Sequence, residues 1–214
     1  MTEKRTPTEL LDGAYAIETP QDSLTYYQDF ADHYDTEFAQ KLGYIYPQII
    51  ARFFHDQARV SDYPIADIGC GTGLVAEALD VAPALIHGFD ISPDMLQKSR
   101  DKSLYGGLFE TDLTKPVQKP ATPYGAVVSA GTFTHGHLGP DPIANLLTLA
   151  RPKAFFCIGV NAQHYAAKGF APFIKDLQIT AKITEVRLEN VPIFSDPNSP
   201  HGKDTAQVLT FRKS

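Results

Sequence analysis

The stretch "IADIGCGTGLVAEALD", Ile65 to Asp80, constrains this chain more than any other. An aliphatic run enters three alternating glycines, at positions 69, 71 and 73, and a helix-forming run leaves them. Glycine is favoured where a backbone turns sharply or where a ligand comes closer than a side chain permits. A strand that passes through such a turn into a helix is the opening unit of an α/β layer fold.

The text that follows repeats this rhythm. "PIADIG" reads as a buried strand and "LVAEALD" as a helix; "ALIHGFD" is a second strand, before a helix beginning "SPDMLQKS". Ser92 suits the N-cap there, Pro93 the first helical position and Asp94 the positive helix end. "GGLFETD", "YGAVVSAG" and "AFFCIGVN" supply three more strands, with helices at "DPIANLLTLA" and "AQHYAAKGFAPFIKDL". The tail, "ITEVRLENVPIF" and "AQVLTFRK", reads as two strands with no long helix between them. These strands predict an α/β fold, doubly wound around a mostly parallel seven-stranded sheet with an antiparallel C-terminal edge hairpin. A ligand of such a sheet lies beyond the carboxyl ends of its strands.

Ahead of the sheet, residues 1–20 read as loosely ordered and 21–58 as an N-terminal helical lid, leaving 59–214 as one globular unit. Within the lid, Tyr27, Phe30, Ala31 and Tyr34 recur at helical spacing, and Ile49, Ile50, Phe53 and Phe54 form a second apolar face. "LGYIYP" separates the two helices. A net charge of -6 argues against nucleic acid as a partner, because phosphate binding is driven by lysine and arginine. The small cluster "KSRDK" reads as the favoured positive end of a helix. The opening residues lack the apolar run of a signal peptide, and "AFFCIGV" is too short to span a bilayer, so no membrane association is expected. Cys70 and Cys157 suggest no disulfide framework, and a reducing cytoplasm fits. No oligomeric state is legible.

The glycine loop is not the dinucleotide fingerprint, since Leu74 stands where a glycine is required, and no Gly-Lys-Ser/Thr follows to make a Walker loop. It admits a ligand close to the backbone without a phosphate-binding pattern. Asp90 closes the second strand 21 residues beyond Gly69, where a carboxylate can accept from both ribose hydroxyls. Ile91 and Met95 can bracket a flat base. Asp112 in "ETDL" is placed to accept from an exocyclic amine, with the Leu113 amide free to donate to a ring nitrogen. Asp67 adds a carboxylate suited to an ammonium group. Three acids and no base around a nucleoside site favour a cationic ligand over a phosphorylated one.

"ADIGCGTG", "GFDISPDML", "ETDL" and "AVVSAGTFTH" together resemble the successive motifs of class I S-adenosylmethionine-dependent methyltransferases, over roughly residues 60–160. "FADHYD" and "THGHLGP" also resemble the Williams–Beuren-region methyltransferase-like group. The resemblance implies a Rossmann-like methyltransferase fold with S-adenosyl-L-methionine as cofactor. It places Gly69, Gly71 and Gly73, with the backbone of Cys70 and neighbouring Leu74, against the amino-acid part of the cofactor. Asp67 would lie near its ammonium, Asp90 at the ribose, Ile91 and Met95 beside the adenine, and Asp112 with Leu113 at the adenine edge. Ser129 and Ala130, in the fourth motif, complete the implied cofactor set. One departure is visible: related proteins often carry Pro-Gly-Gly before the fifth strand, where this chain has "RPKA", with Lys153 and Ala154 in place of the glycines.

His135 and His137 follow the fourth strand on the expected acceptor side and are candidates for a general base; the plain reading is that they order a loop or face solvent. No third ligand nearby supports a metal site. The aromatic stripe Tyr26, Tyr27, Phe30 and Tyr34 reads first as core packing, with Tyr34 the member expected at the cofactor through cation–π attraction. His87 reads as a structural histidine. The expected activity is in-line transfer of a sulfonium methyl group to a small-molecule acceptor. Methylation of a protein, a non-catalytic S-adenosylmethionine-binding sensor and a nicotinamide-dependent oxidoreductase are the alternatives.

Overall fold

The computed structural model describes residues 6–17, 19–31, 33–134 and 138–214. In chain order the helices and strands are α1 (Pro7–Tyr15), α2 (Pro20–Phe30), a π-helix (Tyr34–Gln40) and α3 (Tyr46–Gln57). There follow β1 (Ile65–Ile68), α4 (Leu74–Leu79), β2 (Ile86–Asp90), α5 (Pro93–Asp101), β3 (Gly107–Glu110) and β4 (Tyr124–Phe133). The chain ends with α6 (Asp141–Leu146), β5 (Ala150–Asn161), α7 (Ala162–Ala167), α8 (Phe170–Ile179), β6 (Ile183–Pro192) and β7 (Thr205–Lys213).

The strands pair in the order β3-β2-β1-β4-β5-β7-β6. β1 to β5 are mutually parallel, and β7 lies antiparallel between β5 and β6. The expected edge hairpin is therefore present, with β6 outermost. β1 is buried at all four residues, as a central strand covered on both faces requires. Side chains alternate between two cores at the strand period. Ile65, Ala126, Val128, Phe155 and Cys157 pack with Ile50 and Phe54 of α3 and Val75 and Leu79 of α4. Ala66, Ile68, Val127, Phe156 and Phe211 pack with Ile143, Phe170 and Ile174 on the opposite face. Phe156 and Phe211 stack across that second core with centroids 4.6 Å apart.

Several elements differ from the sequence expectation. Residues 7–15 form α1 instead of a loose start, because Thr6 and Glu9 close a capping box and Leu10, Leu11 and Ala14 are buried. The break at Gly43–Pro47 is present, but α2 also stops at Phe30, and Tyr34–Gln40 adopts a π-helix in place of a continued α-helix. The helix expected around 162–177 divides at Gly169 into α7 and α8. At "RPKA", Lys153 takes φ +66 within β5 and its carbonyl accepts from Arg212 at 3.0 Å. The departure from Pro-Gly-Gly is thus accommodated as an irregularity in the β4–β5 register, where Tyr124 faces Ala150 and Ala126 faces Phe155. Ser92 caps α5 as expected, accepting from the Met95 amide.

Candidate functional site

The carboxyl ends of β1 to β4 open onto a cleft. It lies where strand order reverses on either side of β1, the crevice expected to bind ligand in an open parallel sheet. The link from α1 to α2, with Ile17 and Thr19, and the aromatic rings Tyr27 and Tyr34 roof it.

The floor is the glycine loop. The Gly69 and Cys70 amides both donate to Phe89 O, at 2.7 and 3.1 Å, which ties the loop to the end of β2. Gly69 has φ +64, and a Cβ there would lie 2.0 Å from Thr132 Oγ1. Gly71, at φ +53, has nothing within 4 Å of that position and lines the cleft. The loop is therefore tight beneath Gly69 and open at Gly71.

Asp90 projects from the end of β2 into the cleft. Its Oδ2 accepts from the Gly71 amide at 2.8 Å and its Oδ1 from the Ser92 amide at 2.9 Å. Burial raises its pKa while the Ser92, Gly71 and Ile91 amides oppose that rise. Two backbone donors fix the carboxylate plane, and each oxygen keeps acceptor capacity for a hydroxyl. Ile91, Met95, Leu113 and Ala130 also line the cleft, as do Tyr34, Gly69, Gly71, Asp90 and Asp112.

Other expected residues turn elsewhere. Asp67 is fully buried outside the cleft lining; Tyr105 Oη donates to its Oδ2 at 2.7 Å, and Oδ1 has no partner among the described residues. Burial pushes its pKa up to about 7, against the Tyr105 hydrogen bond and with a further rise from Asp90. The Cys70 side chain packs beside Gly88. Gly73 faces Leu104, Ser99 and Tyr105, and Leu74 starts α4 against the core. Ser129 Oγ donates to Ile68 O at 2.8 Å, bracing β1 from β4. Asp112 does reach the cleft, yet its carboxylate is engaged within its own turn by Thr114 N and Oγ1, at 2.9 and 2.6 Å, and by Lys115 at 3.0 Å. Desolvation resists, but those bonds hold its pKa below the usual carboxylate value. His135 and His137 lie outside the described residues. His87 is structural, sharing a 2.7 Å hydrogen bond through Nδ1 with the Tyr124 hydroxyl.

The cleft also holds residues the sequence reading did not single out: Ile17, Thr19, Phe89, Thr111, Thr114, Gly131, Thr132 and Leu138. Phe89 was legible in principle, since it is the strand neighbour of Asp90. Ile17 and Thr19 carry no local signal; only tertiary packing brings their link over the sheet. Of the aromatic stripe, Phe30 is core while Tyr27 and Tyr34 reach the cleft. Burial raises both tyrosine pKa values, with smaller rises from each other's neighbourhood, so both are protonated at neutral pH.

Residues 65–153 match a family described as the methyltransferase domain. No curated protein matches the chain. The fold is shared with a magnesium protoporphyrin IX methyltransferase from Synechocystis solved with bound S-adenosylhomocysteine. That protein is 17% identical over 91% of this chain and 99% of its own, with a TM-score of 0.60. A TehB-like S-adenosylmethionine-dependent methyltransferase from Corynebacterium glutamicum is 20% identical over 92% of this chain and 100% of its own, with a TM-score of 0.56. A possible histamine N-methyltransferase from Thermotoga maritima is 14% identical over 89% of this chain and 98% of its own, with a TM-score of 0.58. The sheet is that of the Rossmann-like methyltransferases, and the matched segment runs from β1 into β5. The methyltransferase-domain match spans residues 65–153, and the shared fold extends over most of the rest of the chain.

Proposed function

We propose that the cleft binds S-adenosyl-L-methionine and that the chain transfers its methyl group to a nucleophilic atom of a small-molecule acceptor. One observation carries this reading. The open backbone at Gly71 and the fixed Asp90 carboxylate face one cleft whose described lining includes no lysine or arginine. Such a lining fits a nucleoside with a cationic tail and offers a diphosphate no counter-charge.

When bound, the cofactor supplies an electrophilic methyl group on a sulfonium. Asp90 accepts from the ribose hydroxyls, while Phe89, Ile91, Met95 and Leu113 form the apolar walls for the base. The Leu113 amide and the Asp112 turn lie at the base edge. Gly69 and Gly71 admit the amino-acid portion against the backbone. Tyr27 and Tyr34 present aromatic faces that favour positive charge. Because both stay protonated, they donate hydrogen bonds and orient an acceptor; they do not take its proton. That role, where the acceptor needs it, falls in this proposal to His135 and His137, whose flanking residues Thr132 and Leu138 line the cleft. The rest of the rate comes from orientation in a water-poor site.

Ile17, Thr19, Tyr27 and Tyr34 narrow the cleft from above, which suits a small acceptor more than a protein surface. We also carry forward the 21–58 cap, the cytoplasmic setting suggested by two free, buried cysteines, and the Williams–Beuren-region-like grouping suggested by "FADHYD". No helix among the described residues is long and apolar enough to cross a membrane. The test is turnover: the protein, S-adenosylmethionine and a panel of hydroxyl, amine, thiol and carboxylate metabolites, read by S-adenosylhomocysteine formation. Acceptor-dependent product is expected. Tight cofactor binding with no product across the panel would favour a sensor.

A further inference from the structure

The π-helix is joined to the glycine loop by one carboxylate. Thr72, between Gly71 and Gly73, donates from Oγ1 to Asp35 Oδ1 at 2.5 Å. Asp35 Oδ2 lies 2.5 Å from Lys102 Nζ, at the end of α5, and Lys102 also meets Glu77 of α4 at 2.9 Å. Thr72 is only 2% exposed. On its far side, Gly71 donates to Asp90 and its carbonyl accepts from Ser99 Oγ at 2.7 Å. Asp35 therefore sits one residue from roof residue Tyr34, and Thr72 one residue from floor residue Gly71.

An ion pair of this kind on a surface contributes little, because water screens it. The Asp35–Lys102 pair is more sheltered than that, since both side chains are only about a quarter exposed and the Lys102 ammonium itself is buried. The Thr72 contact is sheltered too, since its hydroxyl is buried and its acceptor is charged, which makes the bond short and strong. A π-helix is also an uncommon element that concentrates at functional positions. A cofactor lying between roof and floor gains contacts from both, and loses them when the two part. We infer that Asp35 is a positioning residue that fastens the roof to the glycine loop through Thr72 and so sets how long the cofactor stays bound. This rests on the cleft being the S-adenosylmethionine site.

Asp35→Asn, Thr72→Val, Thr72→Ser and the Asp35→Asn/Thr72→Val double variant test it. S-adenosylhomocysteine is the probe, with affinity from calorimetry and dissociation followed by displacement. Asp35→Asn and Thr72→Val should each weaken binding about tenfold, chiefly through faster dissociation. The double variant should be little worse than either single one, and Thr72→Ser should stay near wild type. Asp35→Asn also takes a partner from the buried Lys102 ammonium and should melt lower, whereas Thr72→Ser should melt as wild type. In ligand-free protein, amides of 34–40 should exchange faster in Asp35→Asn. Wild-type dissociation in Asp35→Asn, or strictly additive losses in the double variant, would overturn the inference. If the wild type fails to bind S-adenosylhomocysteine, the cofactor reading falls first. The exchange experiment still decides the fastening, and unchanged exchange at 34–40 would reject it.

Discussion

Asp67 has no solvent exposure, one oxygen held by Tyr105 and the other without a partner among the described residues. Its carboxyl pKa of about 7 stands well above the roughly 3.9 of an unfolded chain. Between those values the folded protein binds the proton more tightly than the unfolded one. This group's contribution to stability is thus largest below about pH 4, declines as pH rises, and reaches its full penalty above about 7. That penalty is on the order of 2–4 kcal/mol. Asp67→Asn keeps an acceptor for the Tyr105 hydroxyl and removes the charge. In urea unfolding, the variant should gain on wild type between about pH 4 and 7. A stability difference that stays flat across that window contradicts the assignment. The sequence placed this carboxylate near an ammonium because it stands two residues before the loop; strand alternation turns it into the interior, against Tyr105.

At the scale of elements, the strand–loop–helix unit was readable because three of its features are local. The aliphatic run, the glycines and the helix-forming run from Leu74 each act within a few residues. What each glycine does was not readable, since that depends on neighbours from distant strands. Gly69 lies against Thr132 of β4, whereas Gly71 faces open cleft. Alanine at either position costs about 1–2 kcal/mol for the left-handed backbone. Gly69→Ala adds a clash with a short, hydrogen-bonded side chain and should lower the melting temperature severely. Gly71→Ala should stay folded with a modest loss and weaken cofactor binding, because its methyl group enters the cleft. Equal thermal losses in the two variants would contradict this division of labour. Ser129 teaches the same lesson: its motif was legible, but its hydroxyl braces Ile68 O and it is not among the residues lining the cleft.

For the whole molecule, alternation of buried strands with helices led correctly to a seven-stranded, mostly parallel sheet with a reversed final strand pair. The roof was less legible. α1, α2 and the π-helix pack on one another, and α2 also on α5, as in Phe30 against Tyr34 and Phe38, so no single segment announces its partner. At the opposite end of the sheet, Arg212 of β7 holds Asp62 with two bonds of 3.1 Å and also donates to Gln57 O and Lys153 O. That buried pair joins the end of α3 to β5 and β7, far from the cleft, and leaves the cleft's chemistry to the loops at the other edge. The central claim is that this cleft takes an adenosyl sulfonium and no diphosphate. Calorimetric titration of wild type and Asp90→Ala with S-adenosylmethionine, and of wild type with NAD, tests it most directly. The account predicts one S-adenosylmethionine per wild-type chain, affinity at least about tenfold weaker in folded Asp90→Ala, and no NAD binding. Binding of NAD in its place, or equal S-adenosylmethionine affinity in the two proteins, would contradict it.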